Sequence, residues 1–310
     1  MGVTKETIML SLLLPTNPQP ARPPQDARRA NGCSPAAAIV SSRYRSAQGE
    51  IQQISILGGH GRDGALDAID RLDLQMGDVV SVVGRTGSGK TTLINDIELF
   101  ADADTPTGRR ILIDGQRPPE EYRDDPACNP IALITQHTTF LSDLPVDEFL
   151  HTHAGIRRAS PGEIEKAVRQ TLDFANQLTG EPISLSSRMT ELSGGQTRSL
   201  LIADATIICD TPIVLLDEVE NAGINRSRAL ELLRAHRKIF IFVTHDPRIA
   251  LLSDYRLVLK DGRISQVLHT DARERQLAPM VGRLDDVLAD LRDRIRSGER
   301  IDNFETAGLA

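Results

Sequence analysis

The stretch Gly84-Arg85-Thr86-Gly87-Ser88-Gly89-Lys90-Thr91-Thr92 follows the apolar run Val79-Val80-Ser81-Val82-Val83 and precedes Leu93-Ile94. A β-branched run, a glycine-rich loop and a helix-compatible segment in that order predict a strand, a tight loop and a helix. The glycines let the backbone curl so that several N–H groups point at one anion, and the helix opening near Gly89 adds its positive dipole end to the same spot. At this spacing Lys90 reaches the β- and γ-phosphates of a nucleotide, and the Thr91 hydroxyl holds Mg²⁺. By composition such a string arises in roughly one chain in a hundred of this length, so the flanking strand and helix lift it above a glycine-rich turn that binds nothing.

Two further stretches bear on the same chemistry. Ile213-Val214-Leu215-Leu216 is a continuous apolar run of the kind buried on both faces of a parallel sheet, and Asp217 and Glu218 close it. Two carboxylates then stand at the carboxyl edge of a strand neighbouring the phosphate loop. There Asp217 can organise the Mg²⁺ shell, and Glu218 can orient an attacking water or accept its proton. Alone, an apolar run ending in Asp-Glu reads equally well as a strand entering an acidic loop; the phosphate loop favours the catalytic reading. Leu192-Ser193-Gly194-Gly195-Gln196 offers a hydroxyl and two glycine backbones at a helix start, a second anion site. Two phosphate-facing helix starts far apart in the chain suggest a nucleotide sandwiched between subunits.

Length and composition bound the reading. With 310 residues the chain can bury a substantial core, in one large domain with additions or in two modest ones. Aromatics at 3% leave little for base-stacking platforms, and a net charge of −7 argues against broad binding to nucleic acid or anionic membrane. Cys33, Cys128 and Cys209 are odd in number, far apart and form no C-x-x-C pair, so they read as free thiols in a reducing compartment rather than as a disulfide framework or a zinc site. No apolar stretch reaches the ~18–20 residues that span a bilayer, so a membrane role needs a span from another chain.

Residues 1–50 carry Pro15, Pro18, Pro20, Pro23, Pro24, Pro35 and an Ala36-Ala37-Ala38 run, and read as a disordered extension. Its apolar stretch from Ile8 to Leu14 has no prompt small-x-small cleavage site and does not read as a signal peptide. From Ile51 the pattern turns β-like, over 51–57, 68–74, 79–83 and 110–113, the last ending at the tight-turn pair Asp114-Gly115. These short segments suggest a small antiparallel layer beside the nucleotide core. A buried strand over 131–135 ends at Gln136. Helical spacing covers 146–153, 162–178 and 196–208, with Ser160-Pro161-Gly162-Glu163 as a start signal. A helix over 226–236 and strands over 239–243, 256–260 and 263–267 complete the core. Val281, Leu284, Val287, Leu288, Leu291 and Ile295 form the stripe of an amphipathic helix.

Taken in order, Gly84 to Thr91, Gln136, Leu192 to Gln196, Asp217-Glu218 and Thr244-His245-Asp246 resemble the ATP-binding cassette (ABC) ATPase domain, and the pentapeptide is highly specific to that family. The resemblance implies an α/β fold: a RecA-like P-loop NTPase core with an antiparallel β subdomain and an inserted α-helical subdomain at about 137–196. The ABC ATPase domain would span 51–268, with an amphipathic helix and tail over 269–310. ATP and Mg²⁺ are the implied ligands, bound and hydrolysed by a head-to-tail homodimer. In that arrangement the turn Ser193-Gly194-Gly195-Gln196 of one subunit meets the γ-phosphate held by Lys90 of the other, Ser193 and Gly195 making the contact. Gln136 would sense the metal and attacking water and relay this to a partner docking near residues 136–145, and His245 would bridge Glu218 and the γ-phosphate. The expected partner is a separate membrane-spanning transporter subunit, placing the chain in the cytoplasm at the inner face of the cell membrane. The alternative is a soluble ABC ATPase that remodels a protein or assembles a cofactor. No nucleic-acid partner is expected. A regulator without turnover is disfavoured, because Lys90, Asp217, Glu218 and His245 are all in place.

Departures from the family pattern are specific. The Ser-Ala-Leu-Asp-like turn expected after Glu218 is replaced by Val219-Glu220-Asn221-Ala222-Gly223-Ile224, with Ile224 where the aspartate would be. Ser199 and Asp204 fall where arginines are frequent. The aromatic that stacks on adenine has no clear equivalent, Tyr44 lying in the polar tail, and His60 of Gly58-Gly59-His60-Gly61 is the best-placed substitute.

Overall fold

The computed structural model describes residues 44–46, 49–125, 128–158, 160–218 and 226–301. Most of the proline-rich extension, Cys33 and the loop from Val219 to Ile224 lie outside the described residues. The first elements are strands: β1 (Arg45–Ser46) pairs antiparallel with β2 (Gly49–Glu50), and β3 (Gln53–Leu57) with β4 (Arg71–Gln75). Next, β5 (Val79–Val83) leads through the phosphate loop into α1 (Lys90–Glu98), followed by β6 (Arg110–Ile113), the short α2 (Glu121–Asp124) and β7 (Ile131–Thr135). Three helices follow: α3 (Val146–Arg157), α4 (Pro161–Leu178) and α5 (Gly194–Ile207). The chain then alternates through β8 (Ile213–Asp217), α6 (Arg226–Ala235), β9 (Ile239–Val243) and α7 (Pro247–Leu252). It finishes with β10 (Tyr255–Lys260), β11 (Arg263–His269) and α8 (Ala272–Arg296).

The main sheet has the order β11-β10-β5-β9-β8-β7, and a separate antiparallel sheet the order β4-β3-β6. From β10 to β7 every pairing is parallel; the β10–β11 hairpin at the edge is antiparallel. Asp261 and Gly262 turn that hairpin with φ of 53° and 88°, the left-handed pair that matches strand twist. The fold class is the expected one, an α/β P-loop core with an antiparallel β layer and a helical insertion.

Period-two alternation sorts the central strands between two cores. Val79, Val214, Leu216, Phe240 and Phe242 pack with Leu150, Phe174 and Leu200 of α3, α4 and α5. Val80, Val82, Ile213, Leu215 and Ile241 pack on the other face with Leu93, Ile94 and Ile97 of α1 and with Ile54, Ile56 and Leu74 of the antiparallel sheet. Coverage of both faces is why residues 213–216 and 239–243 are apolar at every position. Each such Ile, Leu or Phe contributes ~1.5–3 kcal/mol on leaving water, so the sheet is the rigid base from which the loops project.

Between the two sheets Arg109 is fully buried. Its Nε and Nη2 donate to the two carboxylate oxygens of Asp67, each at 2.9 Å, its Nη1 to Asp96 Oδ2 of α1 at 3.1 Å, and its Nη2 also to Gly262 O at 2.9 Å. Burial opposes ionisation of Asp67, but the Arg109 guanidinium and the N–H groups of Gly59 and Ile264 hold its carboxyl below the usual carboxylate range. One guanidinium therefore joins α1, the loop before β4 and the β10–β11 turn.

Several boundaries differ from expectation, each for a tertiary reason. The first strand of the antiparallel sheet begins at Gln53 rather than Ile51 because the N–H groups of Gln52 and Gln53 donate to Asp114 Oδ1. β4 begins at Arg71 because Asp67 and Ala68 are drawn to Ile264 instead. α7 was not anticipated, although Asp246 at its N-cap and Pro247 at its first position are helix-start residues. Tyr44, expected in the polar tail, is 3% exposed within the core that holds α1.

Candidate active site

The phosphate loop is shaped by glycine where a side chain has no room. Gly89 has φ of 100°, and a Cβ there would come within 2.7 Å of Gly262 Cα. The loop can therefore lie directly on the β10–β11 turn, where Gly262 N donates to Ser88 O at 2.8 Å. Gly89 is also the N-cap of α1, and no side chain caps that helix start. Its first N–H groups have no intrahelical acceptor and open on an anion-sized space. Ser88 Oγ is buried with no hydrogen-bond partner among the described residues.

Strand register brings the other groups to the same level. Thr135 pairs with Asp217, and Asp217 with Val243, so Gln136, Glu218 and Thr244 follow at the carboxyl ends of β7, β8 and β9. In an open parallel sheet this edge is where ligands sit. A cavity of about 240 Å³ lies there, lined by Thr86, Gly87, Gly89, Lys90, Thr91, Thr92, Gln136, Asp217 and Glu218, together with Arg62 and Val243. Lys90 is buried, and its Nζ donates to Gly84 O at 2.9 Å and Arg85 O at 3.3 Å. Glu218 holds φ of 51°, a left-handed conformation that costs ~1–3 kcal/mol for a non-glycine residue, and its N–H donates to Val243 O at 3.0 Å. His245 Nε2 stands 3.4 Å from Glu218 Oε1.

Other sequence candidates are placed elsewhere. Ser193 caps its own helix: its Oγ accepts from Gln196 N at 3.3 Å, and Gln196 Oε1 accepts from Ser193 N at 2.9 Å. Ser193 and Gly194 are exposed, and neither they nor Gly195 and Gln196 line the cavity. His60 does not line it either; its Nδ1 lies 3.1 Å from Gly61 O and its backbone pairs with Leu66. Two groups escaped the sequence reading. Arg62 reaches the cavity because its N–H bonds to Asp261 O across nearly two hundred residues of chain, which no local motif encodes. Arg198 Nη2 donates to Gln136 O at 2.6 Å and its Nη1 to Gly194 O at 2.8 Å, linking α5 to the end of β7.

The residues fit their implied ligands. Uncapped N–H groups, a buried ammonium and an orphaned hydroxyl suit a polyphosphate. The oxygens of Thr91, Gln136 and Asp217 suit a hard cation such as Mg²⁺.

Comparison with known proteins agrees with this chemistry. The ABC transporter family model matches residues 69–221. An uncharacterized ABC transporter ATP-binding protein of Methanocaldococcus jannaschii is 44% identical over 252 residues, covering 81% of this chain and 95% of the relative. The chain belongs to the ABC ATPase family. This ABC ATPase is also 31% identical over 204 residues to an ATP-dependent lipid A-core flippase of Hahella chejuensis, of which the match covers only 34%. Among solved structures, a dimeric ATP-binding cassette in a post-hydrolysis state bound to ADP and Pi aligns at 22% identity and a TM-score of 0.54, over 71% of this chain and 99% of that one. CbiO1 of Clostridium perfringens, part of the ABC transporter complex CbiONQ, aligns at 22% identity and a TM-score of 0.55, over 74% of this chain and 94% of that one. These two likenesses establish the shared RecA-like fold. The ABC ATPase hydrolyses ATP, and no helix among its described residues is long and apolar enough to cross a membrane.

Proposed function

We propose that this ABC ATPase is the ATP-binding subunit of a transporter, working as a head-to-tail homodimer from the cytoplasmic side with a separate membrane-spanning partner docked near residues 136–145. The observation that carries the dimer is the separation of the two anion-facing helix starts. The loop before α1 lines the cavity with Lys90, Asp217 and Glu218, while the exposed Ser193 turn at the start of α5 does not reach it. A second copy supplies that turn to the γ-phosphate.

Within each site, Lys90 leaves the Gly84 and Arg85 carbonyls to hold the β- and γ-phosphates, and the α1 amides take the remaining phosphate charge. Thr91, Gln136 and Asp217 would hold Mg²⁺, which when bound neutralises β- and γ-oxygens during transfer. Glu218 orients the attacking water and takes its proton, and His245 fixes the Glu218 carboxylate against the γ-phosphate. Gln136 carries the state of the site to the docked partner.

The test is purification from membranes together with ATPase measurement. A multi-span protein should co-purify, and Lys90→Ala should abolish turnover by removing ATP binding. Recovery of soluble partners alone would favour the remodelling alternative, and unchanged turnover in Lys90→Ala would end the catalytic assignment.

A further inference from the structure

Outside the lining of the phosphate cavity, three metal-ligating side chains meet. His153 on α3, Asp204 in the last turn of α5 and Cys209 just beyond that helix each offer a ligand atom, all within 4.8 Å of one another. His153 and Asp204 are 3% and 8% exposed, and Cys209 is half-buried. His153 Nδ1 lies 2.8 Å from Asp204 Oδ1, and Cys209 Sγ lies 3.9 Å from His153 Nε2 and 3.7 Å from Asp204 Oδ2. The backbone fixes this arrangement, since Cys209 N donates to Asp204 O at 2.9 Å.

We propose that His153, Asp204 and Cys209 form a binding site for a divalent transition metal of the zinc class, coordinated through one ring nitrogen of His153, one carboxylate oxygen of Asp204 and Cys209 Sγ. Metal–ligand bonds of about 2.0–2.3 Å place the edges of a tetrahedral site at about 3.3–3.6 Å. The 3.7 Å between Cys209 Sγ and Asp204 Oδ2 is therefore within a few tenths of an ångström of such an edge. A mixed nitrogen, oxygen and sulfur set suits Zn²⁺ or Co²⁺ and does not suit Mg²⁺ or Ca²⁺. Nearby cations are engaged elsewhere: Lys238 Nζ lies 2.6 Å from Asp210 Oδ1, and Arg158 Nη2 donates to Ile207 O at 2.8 Å.

The family resemblance does not supply this site, because Asp204 stands where the family frequently has arginine. Three protein ligands leave a fourth position for water. A metal here pins the C-terminal end of α5, the helix that begins at Ser193, against α3. Its competitor is a proton. Burial opposes charging of His153, but the Asp204 carboxylate pushes it up to about 10. Coordination displaces one ring N–H proton of His153 and the Sγ proton of Cys209 into solvent.

The experiment is a Co²⁺ titration of the metal-free full-length chain, read by absorbance and reversed with Zn²⁺. One equivalent should give tetrahedral visible bands and a near-ultraviolet thiolate-to-cobalt band. Both should vanish in Cys209→Ser, weaken at least about tenfold in Asp204→Asn, and persist in Lys90→Ala and in a Cys33→Ser/Cys128→Ser double variant. Cys209→Ser is nearly isosteric at a half-buried position, so its circular dichroism should match the parent even if a His153 variant fails to fold. Absence of a thiolate band, a spectrum unchanged by Cys209→Ser, or no binding at all would leave only a His153–Asp204 proton pair and overturn the assignment.

Discussion

Arg198, four residues beyond Gly194 on α5, donates to the main-chain carbonyl of Gln136 at 2.6 Å, so the helix that begins at Ser193 is hydrogen-bonded to the residue that lines the phosphate cavity at the end of β7. The first turns of α5 are thus mechanically joined to the edge of the phosphate cavity. A charge-assisted bond of this kind contributes ~1.5–3 kcal/mol. Arg198→Met should keep ATP affinity within about threefold while lowering turnover about tenfold, a loss of ~1.4 kcal/mol at the transition state. Equal losses in binding and turnover, measured by equilibrium titration and phosphate release, would remove this coupling role.

Glu218→Gln should separate binding from chemistry. The amide keeps the size and the left-handed backbone of the residue but accepts no proton, so phosphate release should fall by at least about a hundredfold while ATP is retained. Size-exclusion chromatography with ATP should then show more dimer than for the parent chain. Normal hydrolysis by this variant would reassign the base.

Gly89→Ala tests the loop itself. The added methyl meets Gly262 Cα at 2.7 Å in a left-handed conformation. Backbone rather than a flexible side chain is the obstacle, so the loop must shift. Thermal unfolding should show a loss of ~1–3 kcal/mol, together with loss of ATP binding. Wild-type affinity would mean that the loop reaches its binding shape without this close approach.

Arg109→Leu should be among the most damaging substitutions outside the site. It leaves Asp67 and Asp96 buried without their shared guanidinium, a change that costs ~3–5 kcal/mol by denaturant unfolding. The pH dependence has a definite sign. Asp67 has its folded pKa held below the usual value of 3.8, so its contribution is complete above that value and is lost as pH falls through the lower folded value. Acid unfolding should therefore steepen below about pH 4 in the parent. In Asp67→Asn that acid-dependent component should be missing.

Much of the fold was legible because the deciding patterns are local. The run at 239–243 is apolar over its whole length, and those at 79–83 and 131–135 are broken only by Ser81 and Thr135, the pattern of strands buried on both faces of a parallel sheet. Ser160 and Glu163 form the capping box they spell, so the start of α4 was readable to within a residue. The misses share a cause. Tyr44 looked like part of a tail because nothing beside it in sequence shows that it enters the core with Ile51 and Leu74. Arg62 and His60 sit two residues apart in one glycine-rich loop, yet only Arg62 reaches the cavity, because a backbone bond to Asp261 decides which side chain faces it.

The sequence by itself determined the α/β class, the strand–loop–helix that cradles phosphate and the paired carboxylates Asp217 and Glu218 at a strand end, since each rests on spacing along a few neighbouring residues; Gln136 joined them only through the order of motifs that the family shares. Tertiary structure alone decided that Arg109 joins α1, the loop before β4 and the β10–β11 turn through Asp96, Asp67 and Gly262, that Arg198 holds Gln136, and that His153, Asp204 and Cys209 converge. Those contacts link residues far apart in the chain. Their distances are set by helix packing and strand register rather than by any interval in the sequence.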